Sequence, residues 1–490
     1  MNWRLLVCIL FSTCSAIGQE QFGAAFSNYT PSISVFMNPS SMLDAKTWLD
    51  IHIVGAGSYT NNNFVSLNNT NYIRIARTNG EGIDETDLEY HQNRRKYQAY
   101  NRTFVNVLSG VWSQGDHAAG LFFNARSFTA VRGIPKFVGQ FIENGVPEFT
   151  PQHDIDYSIK NIYLSNVNFG EIQLSYAYTF LKKRRDMLMA GISIKKFISF
   201  GGAAGNVYNF NFNVRDDSLL SIFELETDAM YTPNPEVYVK GGRGLDLGFT
   251  YQKMISSCSN YLPNSKKGGC KRLPYQYMLA ASLLDLGAVK FDPDNVQYAG
   301  YKFSTYEWFG YANQSINEDS LVQVFQNQDP DHTDGRVNKK ERIHLPTTIS
   351  FQGDYNIWAS RFFANGSITQ GIPISKTKFG TRRANSLMVG LRFETKIFDI
   401  AIPFSLYEYK TPQLGLSVRF YCLTVGTDKL LHLIGRNDLY GGDIYVHLNI
   451  PFFNHPKCKT KAKKDRGGSQ GSSTPSSLRR KRGNGCDAYN

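Results

Sequence analysis

The sequence predicts an all-β protein, a transmembrane antiparallel β-barrel of about 14 strands. Three observations favour this fold. The chain of 490 residues begins with an export signal, it contains long strands with one apolar and one charged face, and its connections alternate between short and long. No run approaches the roughly 18 apolar residues of a helical span, so membrane helices are not expected.

Residues 1–18 predict a secretory signal peptide. The apolar run 5–11 follows Arg4, and a small-residue cleavage site ends at Gly18. The apolar run is too short to span a membrane as a helix. The protein is therefore expected to be exported and to reside in the cell outer membrane.

Residues 171–181 show the strand pattern most clearly. Their even-numbered positions are apolar, and their odd-numbered positions are polar or small, which is typical of a strand with two different faces. The same division recurs in 187–200, 343–355, 384–396 and 413–424. Soluble β-sandwiches alternate similarly, but their strands usually have about 5–6 residues. The greater length here favours a membrane barrel.

This pattern assigns thirteen strands, at 49–60, 103–112, 118–131, 171–181, 187–200, 244–256, 274–291, 343–355, 359–370, 384–396, 401–410, 413–424 and 443–453. An even number is needed if both ends of the barrel lie on the periplasmic side. We therefore expect another strand within 203–230 or 296–308. A phase slip at 283–285 predicts a β-bulge.

Residues 443–453 are the expected closing strand. Their apolar side chains would face lipid, and Tyr445, His447 and Asn449 would face the lumen. Pairing of this strand with the first strand, 49–60, would remove both exposed edges.

The segment 454–490 is a basic, low-complexity tail with ten Lys and Arg residues against two Asp. Its charge predicts a periplasmic partner, which could be an envelope protein, anionic lipid or cell-wall polymer. The alternative is a solvated tail without a partner. Outer-membrane lipid is the expected partner of the barrel itself, and nucleic acid is not an expected partner.

Four short stretches occur in a characteristic order, namely NPSS at 38–41, GLDLGFTY at 244–251, ASLLDLG at 281–287 and VGTDKLL at 425–431. On these motifs the chain resembles a family of Gram-negative outer-membrane barrels of unassigned function. It is more distantly similar to the long-chain fatty-acid transporter superfamily. The resemblance covers roughly residues 19–453. It implies a plug-like N-terminal segment at 19–48 and a barrel at 49–453.

The resemblance also implies a function, a transporter or channel for small hydrophobic or amphipathic solutes. The alternative is a non-enzymatic cell-envelope scaffold or an accessory subunit of a protein-secretion system, a role that similar barrels fill. The basic tail favours this alternative, because a transporter does not need it.

The sequence does not predict an enzyme, a cofactor or a metal site. It lacks the common hydrolase, metalloprotease and phosphate-loop motifs, and it contains only 9 His. The loop 329–335 approaches a calcium-binding pattern, but its Asp spacing is broken and Lys340 stands where a bidentate Glu is needed. A polar surface loop is the better interpretation.

Five charged residues are candidates for the lumen, namely Asp246, Asp285, Arg392, Glu394 and Arg419. By phase they face inward. They could line a permeation path, or they could form a salt-bridge network that fills the lumen. The second role is favoured because barrel interiors are commonly filled by side chains.

Cys258 and Cys270 bracket one loop of an exported protein, so a disulfide between them is one of two open alternatives. Cys422 falls on the lipid face by phase. Cys458 and Cys486 flank the tail, and the sequence does not decide whether they pair with each other or with a partner.

Overall fold

The computed structural model describes residues 21–455, except 69, 79–86, 91–95, 145–152, 217, 266, 268–271, 310–341, 373–378, 436–438 and 454. The predicted signal peptide, almost all of the basic tail and the loop 329–335 lie outside the described residues. These three interpretations remain predictions.

The described residues form β1 (Leu49–Asn62), β2 (Val65–Leu67), β3 (Leu88–Tyr90), β4 (Lys96–Gln114), β5 (His117–Pro135), β6 (Asp156–Lys183), β7 (Asp186–Val214), β8 (Leu219–Tyr231), β9 (Gly242–Met254), β10 (Tyr275–Lys290), β11 (Gln297–Phe309), β12 (Arg342–His344), β13 (Thr348–Trp358), β14 (Phe362–Gly371), β15 (Ser386–Glu394), β16 (Phe398–Tyr407), β17 (Thr411–Leu414), β18 (Leu416–Phe420), β19 (Leu423–Thr427) and β20 (Gly441–Phe452).

Helices are few and short. They are Phe22–Ala25, Pro31–Ser34, Tyr72–Thr78, Lys136–Asn144 and Leu430–Ile434, together with the 3-10 helices Pro39–Leu43 and Pro293–Asn295. Within the described part of the chain, no helix has the length and apolarity that a membrane crossing requires.

The main sheet closes into an antiparallel barrel of fourteen strands. The ring runs β1, β4, β5, β6, β7, β9, β10, β13, β14, β15, β16, β17 with β18, β19 and β20. β12 and β13 pair with successive parts of the same edge of β10. β17 and β18 likewise pair with successive parts of β16, so they count as one ring strand, which is interrupted at Gly415. The predicted all-β antiparallel barrel of about 14 strands is confirmed.

The first and last strands close the ring as the sequence predicts. β1 pairs with β20, with Leu49 opposite Phe452 and Ile51 opposite Ile450. Ile450 is 39% exposed on the outside, whereas His447 and Asn449 are buried on the inside. Pairing of the terminal strands leaves no edge in the membrane, where unpaired backbone groups are costly.

The missing ring strand is β19, which sequence periodicity did not separate from its neighbour. The predicted strand 413–424 covers β17, β18 and the first residues of β19, with a turn at 421–422. Cys422 therefore lies in a turn rather than on a strand. β19 has only 5 residues, too few for an alternating pattern to be recognised.

The regions expected to hold the missing strand do contain strands, but these strands stand outside the ring. β8 pairs with the C-terminal half of β7, and β11 pairs with β8. β7 changes partner along its length, because Asp186–Lys196 pairs with β9 and Ala203–Val214 pairs with β8. The ring count is therefore settled by β19 and not by β8 or β11.

The predicted bulge is confirmed in β10. Its register with β9 shifts between Leu283 and Leu286, and Asp285 has a φ of 56°. The backbone N–H of Asp285 donates to Oδ1 of Asp246 on β9 at 2.7 Å. The bulge thereby turns the Asp285 side chain into the lumen, where it is 2% exposed.

One side of the barrel is much taller than the other. β6 and β7 have 28 and 29 residues, whereas β15 and β16 have 9 and 10. A span of the membrane needs about 9–11 tilted residues, so β6 and β7 continue well beyond it. The helix Lys136–Asn144 packs with this extension in an apolar cluster that includes Phe141, Phe212 and Trp308.

Short turns join β4 to β5, β6 to β7, β13 to β14, β15 to β16 and β18 to β19 at the end that also holds both barrel termini. Most connections at the opposite end are longer, although β16 and β17 are joined by a short turn there. The connection 255–274 is a long exception at the end with the termini. Outer-membrane barrels place the short turns in the periplasm and the long loops outside the cell.

The outer wall is apolar along its middle. Leu174 is 60% exposed, Phe249 and Leu279 are each 56% exposed, and Leu391 is 61% exposed. A band of exposed apolar side chains around a closed barrel is the surface that contacts lipid in a membrane.

Candidate functional site

Residues 21–47, called the N-terminal segment below, lie inside the barrel. Its side chains bond to strands around the ring: Ser27 Oγ donates to Asp399 at 2.7 Å, and Ser32 Oγ donates to Asp50 at 2.6 Å. Asn38 Nδ2 donates to Gln352 at 3.1 Å. Because these partners stand on β16, β1 and β13, the segment occupies the lumen between them.

The wall, rather than local propensity, stabilises the two short helices of this segment. Phe22–Ala25 and Pro31–Ser34 have 4 residues each, far below the length at which an isolated helix is stable. The 3-10 helix Pro39–Leu43 has a better start, because Asn38 Oδ1 accepts the backbone N–H of Ser40 at 3.0 Å. The NPSS motif is thus a capped turn that faces the wall.

Two glycines in the wall make room for this turn. A Cβ on Gly191 of β7 would stand 2.4 Å from the backbone N of Ser40 and 2.5 Å from the carbonyl carbon of Pro39. A Cβ on Gly248 of β9 would stand 2.0 Å from Asn38 Oδ1. Gly191 and Gly248 are paired across the two strands, so together they leave a shallow depression in the wall that the turn occupies.

A first buried charge network, called the upper network, contains two of the predicted residues. Lys195 Nζ lies 2.7 Å from Asp246 and 2.9 Å from Asp285. Arg126 contacts Asp285 with both terminal nitrogens, at 2.8 and 2.7 Å, and contacts Glu171 at 2.8 Å. Asp246 and Asp285 therefore pair with Lys195 and Arg126. They do not contact the other predicted cations, Arg392 and Arg419.

The upper network holds three carboxylates and two cations, all buried. Paired charges of this kind are stable only while every partner is present. The network ties β5, β6, β7, β9 and β10 together across the lumen. These contacts link five neighbouring strands of the wall.

A second network, called the lower network, contains the other three predicted residues and fastens the N-terminal segment. Arg392 lies 2.8 Å from Asp354 and 3.1 Å from Glu394. Glu394 in turn accepts Lys46 Nζ at 2.5 Å and Asn28 Nδ2 at 2.7 Å.

Arg419 completes the lower network on the neighbouring strands. Its Nε and Nη2 each lie 2.6 Å from Asp399, whose Oδ2 also accepts the Ser27 hydroxyl. Wall residues on β15, β16 and β18 thus bond to one another and to the segment at once. The lower network therefore holds the N-terminal segment against the barrel wall, and these contacts are called the clasp below.

Sequence reasoning missed several members of both networks, namely Lys46, Arg126, Glu171, Lys195, Asp354 and Asp399. Glu171, Lys195 and Asp354 stand on the polar face of recognised strands, so phase places them inward. Periodicity gives no information on which inward charges meet across the lumen. Lys46 has no such signal, because the N-terminal segment has no period.

The taller side of the barrel, formed by β4 to β7, is called the tall wall below. A pocket lies between it and the N-terminal segment. Ile33, Phe36 and Met37 of the segment line it on one side. The wall strands β4 and β5 contribute Phe104, Arg102 and Arg126, and the connection between β14 and β15 contributes Arg383. The pocket therefore offers an apolar surface next to a cationic one.

The segment also contacts the closing strand. Gln21 Oε1 lies 2.9 Å from His447 Nε2, and the His447 ring stacks on Phe104 at 5.9 Å between centroids. His447 is 3.4 Å from His52 on the first strand. The seam between the first and last strands is thus packed by imidazoles rather than opened to solvent.

Cys258 is a free, buried cysteine in the structure, and its Sγ donates to the backbone carbonyl of Asp186 at 3.4 Å. Cys270 lies outside the described residues. A Cys258–Cys270 disulfide stays a prediction.

Comparison with known protein families identifies the family of this chain. A family model described as a family of unknown function (DUF5723) matches residues 39–428, most of the chain. The chain belongs to this family. The match begins at Pro39 within the N-terminal segment and ends at Asp428 just after β19, so it contains every charged residue of both networks. Ser27 and Asn28, which bond to the lower network, lie before it. No curated protein matches the sequence.

Three solved structures are similar to this chain at low sequence identity. A TodX monoaromatic hydrocarbon channel deltaS2 mutant is 8% identical, with 89% of this chain and 95% of that chain covered and a TM-score of 0.36. A Pseudomonas aeruginosa FadL homologue is 10% identical, with 90% and 100% covered and a TM-score of 0.35. The P. putida toluene transporter TodX is 9% identical, with 86% and 94% covered and a TM-score of 0.23.

Proposed function

We propose that this protein is an outer-membrane channel for small hydrophobic or amphipathic solutes, and that the N-terminal segment is its plug. The observation that carries the proposal is the position of residues 21–47, which fill the lumen and are held there by side-chain bonds rather than by a continuous backbone sheet. A segment held in this way can be displaced without breaking the barrel.

The pocket beside the plug supports the solute class. Its apolar side would accept a hydrocarbon portion mainly at Phe36, which is partly exposed and would lose that surface when covered, whereas Ile33 and Met37 are already buried. The positive charges of Arg102 and Arg383 would attract an anionic portion, because guanidinium groups favour carboxylate and phosphate, whereas Arg126 is already paired with Glu171 and Asp285. A solute with both portions would satisfy both sides.

The route proposed for a solute runs from the tall wall to the pocket and then past the plug. The plug must shift for passage, and the clasp formed by Glu394 and Asp399 opposes that shift. No covalent step is involved. Selectivity would come from the pocket, and closure would come from the clasp.

Replacing Arg102 and Arg383 together by glutamine is expected to slow uptake of an amphipathic anion into liposomes by about tenfold, since a hydrogen bond to a charged group contributes about 1.5–3 kcal/mol. Uptake of a neutral amphiphile of similar size should not change. The measurement is entry of a fluorescent carboxylate and of its methyl ester.

The matched control is Lys160→Gln, which removes an exposed cation from the tall wall away from the pocket. It should leave both uptake rates unchanged. Equal rates for the carboxylate in the double variant and in the wild type would contradict the assignment of the pocket.

A further inference from the structure

On the outer face of the barrel, basic residues follow directly on an apolar row across adjacent strands. On β7, β9 and β10, the outward residues Ile194, Leu245 and Leu286 lie side by side in the paired register. The next outward position on β7 is Lys196, which is paired with Arg243 on β9. Lys196 and Arg243 thus lie one step beyond the apolar row, and on β7 the apolar residue Ile198 follows Lys196 on the same face.

Two more cations continue this feature onto β12. Ala288 is the partner of Arg243, and Lys290 follows it on the same face of β10. Lys290 is paired with Arg342. Arg243 and Arg342 are exposed, while Lys196 and Lys290 are partly exposed. Lys196, Arg243, Lys290 and Arg342 are called the basic belt.

The belt is local to this part of the wall. On β4, β5 and β6 the outward residues beyond the apolar band are Thr103, Ser127 and Asn168, which form one paired row and are neutral. A preference for cations beyond the apolar band on every strand would place cations there too. The four cations of the belt are thus a feature of β7, β9, β10 and β12.

The acidic residue Asp292 lies close to the belt in the sequence. Asp292 follows Lys290 by two residues, and its Oδ1 accepts the backbone N–H of Asp294 at 3.2 Å. Asp292 is the N-cap of the 3-10 helix Pro293–Asn295. Its carboxylate therefore serves the local turn.

We propose that the basic belt binds the phosphate groups of a phosphorylated glycolipid in the outer leaflet of the membrane. The belt lies at the end with most of the long connections, which faces outward in this class of barrel. The acyl chains of such a lipid would rest on Ile194, Leu245 and Leu286 directly below. Guanidinium and ammonium groups at the edge of an apolar surface suit a phosphate attached to hydrocarbon.

The test is native mass spectrometry of the purified barrel in detergent with diphosphorylated lipid A. The wild type should retain the lipid, and the variant K196Q/R243Q/R342Q should bind it at least about tenfold more weakly, as expected for losing several charge-assisted bonds. The control K183Q/R185Q removes two exposed cations from the opposite end and should bind like the wild type.

Three further arms separate phosphate recognition from general charge or folding effects. Lipid A without phosphates should be retained weakly by every variant, and inorganic phosphate should not displace the bound lipid. The variant K196R/R243K should keep binding, because it keeps the charges. Equal retention of phosphorylated and phosphate-free lipid, or equal binding by the triple variant and the wild type, would overturn the proposal.

Discussion

Replacing Lys195 by methionine is expected to lower the free energy of unfolding by about 3–5 kcal/mol, the range found when one partner of a buried ion pair is removed. Lys195 lies within 2.9 Å of two carboxylates, Asp246 and Asp285, and all three side chains are buried. Methionine would fill a similar volume but leave Asp285 with Arg126, and Asp246 with the backbone N–H of Asp285. The measurement is urea unfolding of the barrel in detergent, followed by the heat-dependent gel mobility of the folded form.

The control for this prediction is Lys253→Met. Lys253 contacts Asp186 at 2.7 Å, a similar distance, but the two side chains are 31% and 38% exposed. Loss of an exposed pair should cost less than about 1 kcal/mol. The double variant Lys195→Met with Asp246→Asn should be less destabilised than Lys195→Met alone. Equal effects of the Lys195 and Lys253 replacements would show that the upper network does not stabilise the barrel.

Replacing Gly191 by alanine is expected to open the channel. The added Cβ would stand 2.4 Å from Ser40 N and 2.5 Å from the Pro39 carbonyl carbon, both backbone atoms of the plug that cannot rotate away. Overpacking of this kind costs about 1–3 kcal/mol, which would raise the population with a displaced plug by roughly 5- to 150-fold. The rate of solute entry into liposomes should rise accordingly.

The control is Gly353→Ala, another glycine-to-alanine change in a wall strand. A Cβ there would have its nearest neighbour, Leu279 Cδ2, at 3.8 Å, which is ordinary contact. Solute entry should match the wild type. If the Gly191 variant folds and admits solute no faster than the Gly353 variant, the turn at 38–40 does not close the lumen.

The sequence predicted the barrel because its physical cause is local. A strand between lipid and lumen must alternate, so 171–181 and 443–453 could be recognised residue by residue. The bulge at 283–285 was recognised from the same pattern. β19 was not, because 5 residues joined to β18 by a tight turn do not show a period of their own.

The contents of the lumen could be predicted only in part. Phase placed Asp246, Asp285, Arg392, Glu394 and Arg419 inward, and all five are buried there. The partners could not be predicted, because Arg126 and Asp285 are 159 positions apart and meet only through the curvature of the closed ring. The position of the N-terminal segment likewise depends on polar contacts with strands that are distant in sequence.

The most direct test of the plug is the permeability of liposomes that contain the barrel without residues 22–46. The shortened barrel should keep its heat-dependent gel mobility, because the ring from β1 to β20 does not include these residues. It should admit a small amphipathic anion much faster than the full-length protein does. Equal, low permeability of the two folded proteins would contradict a channel closed by its N-terminal segment.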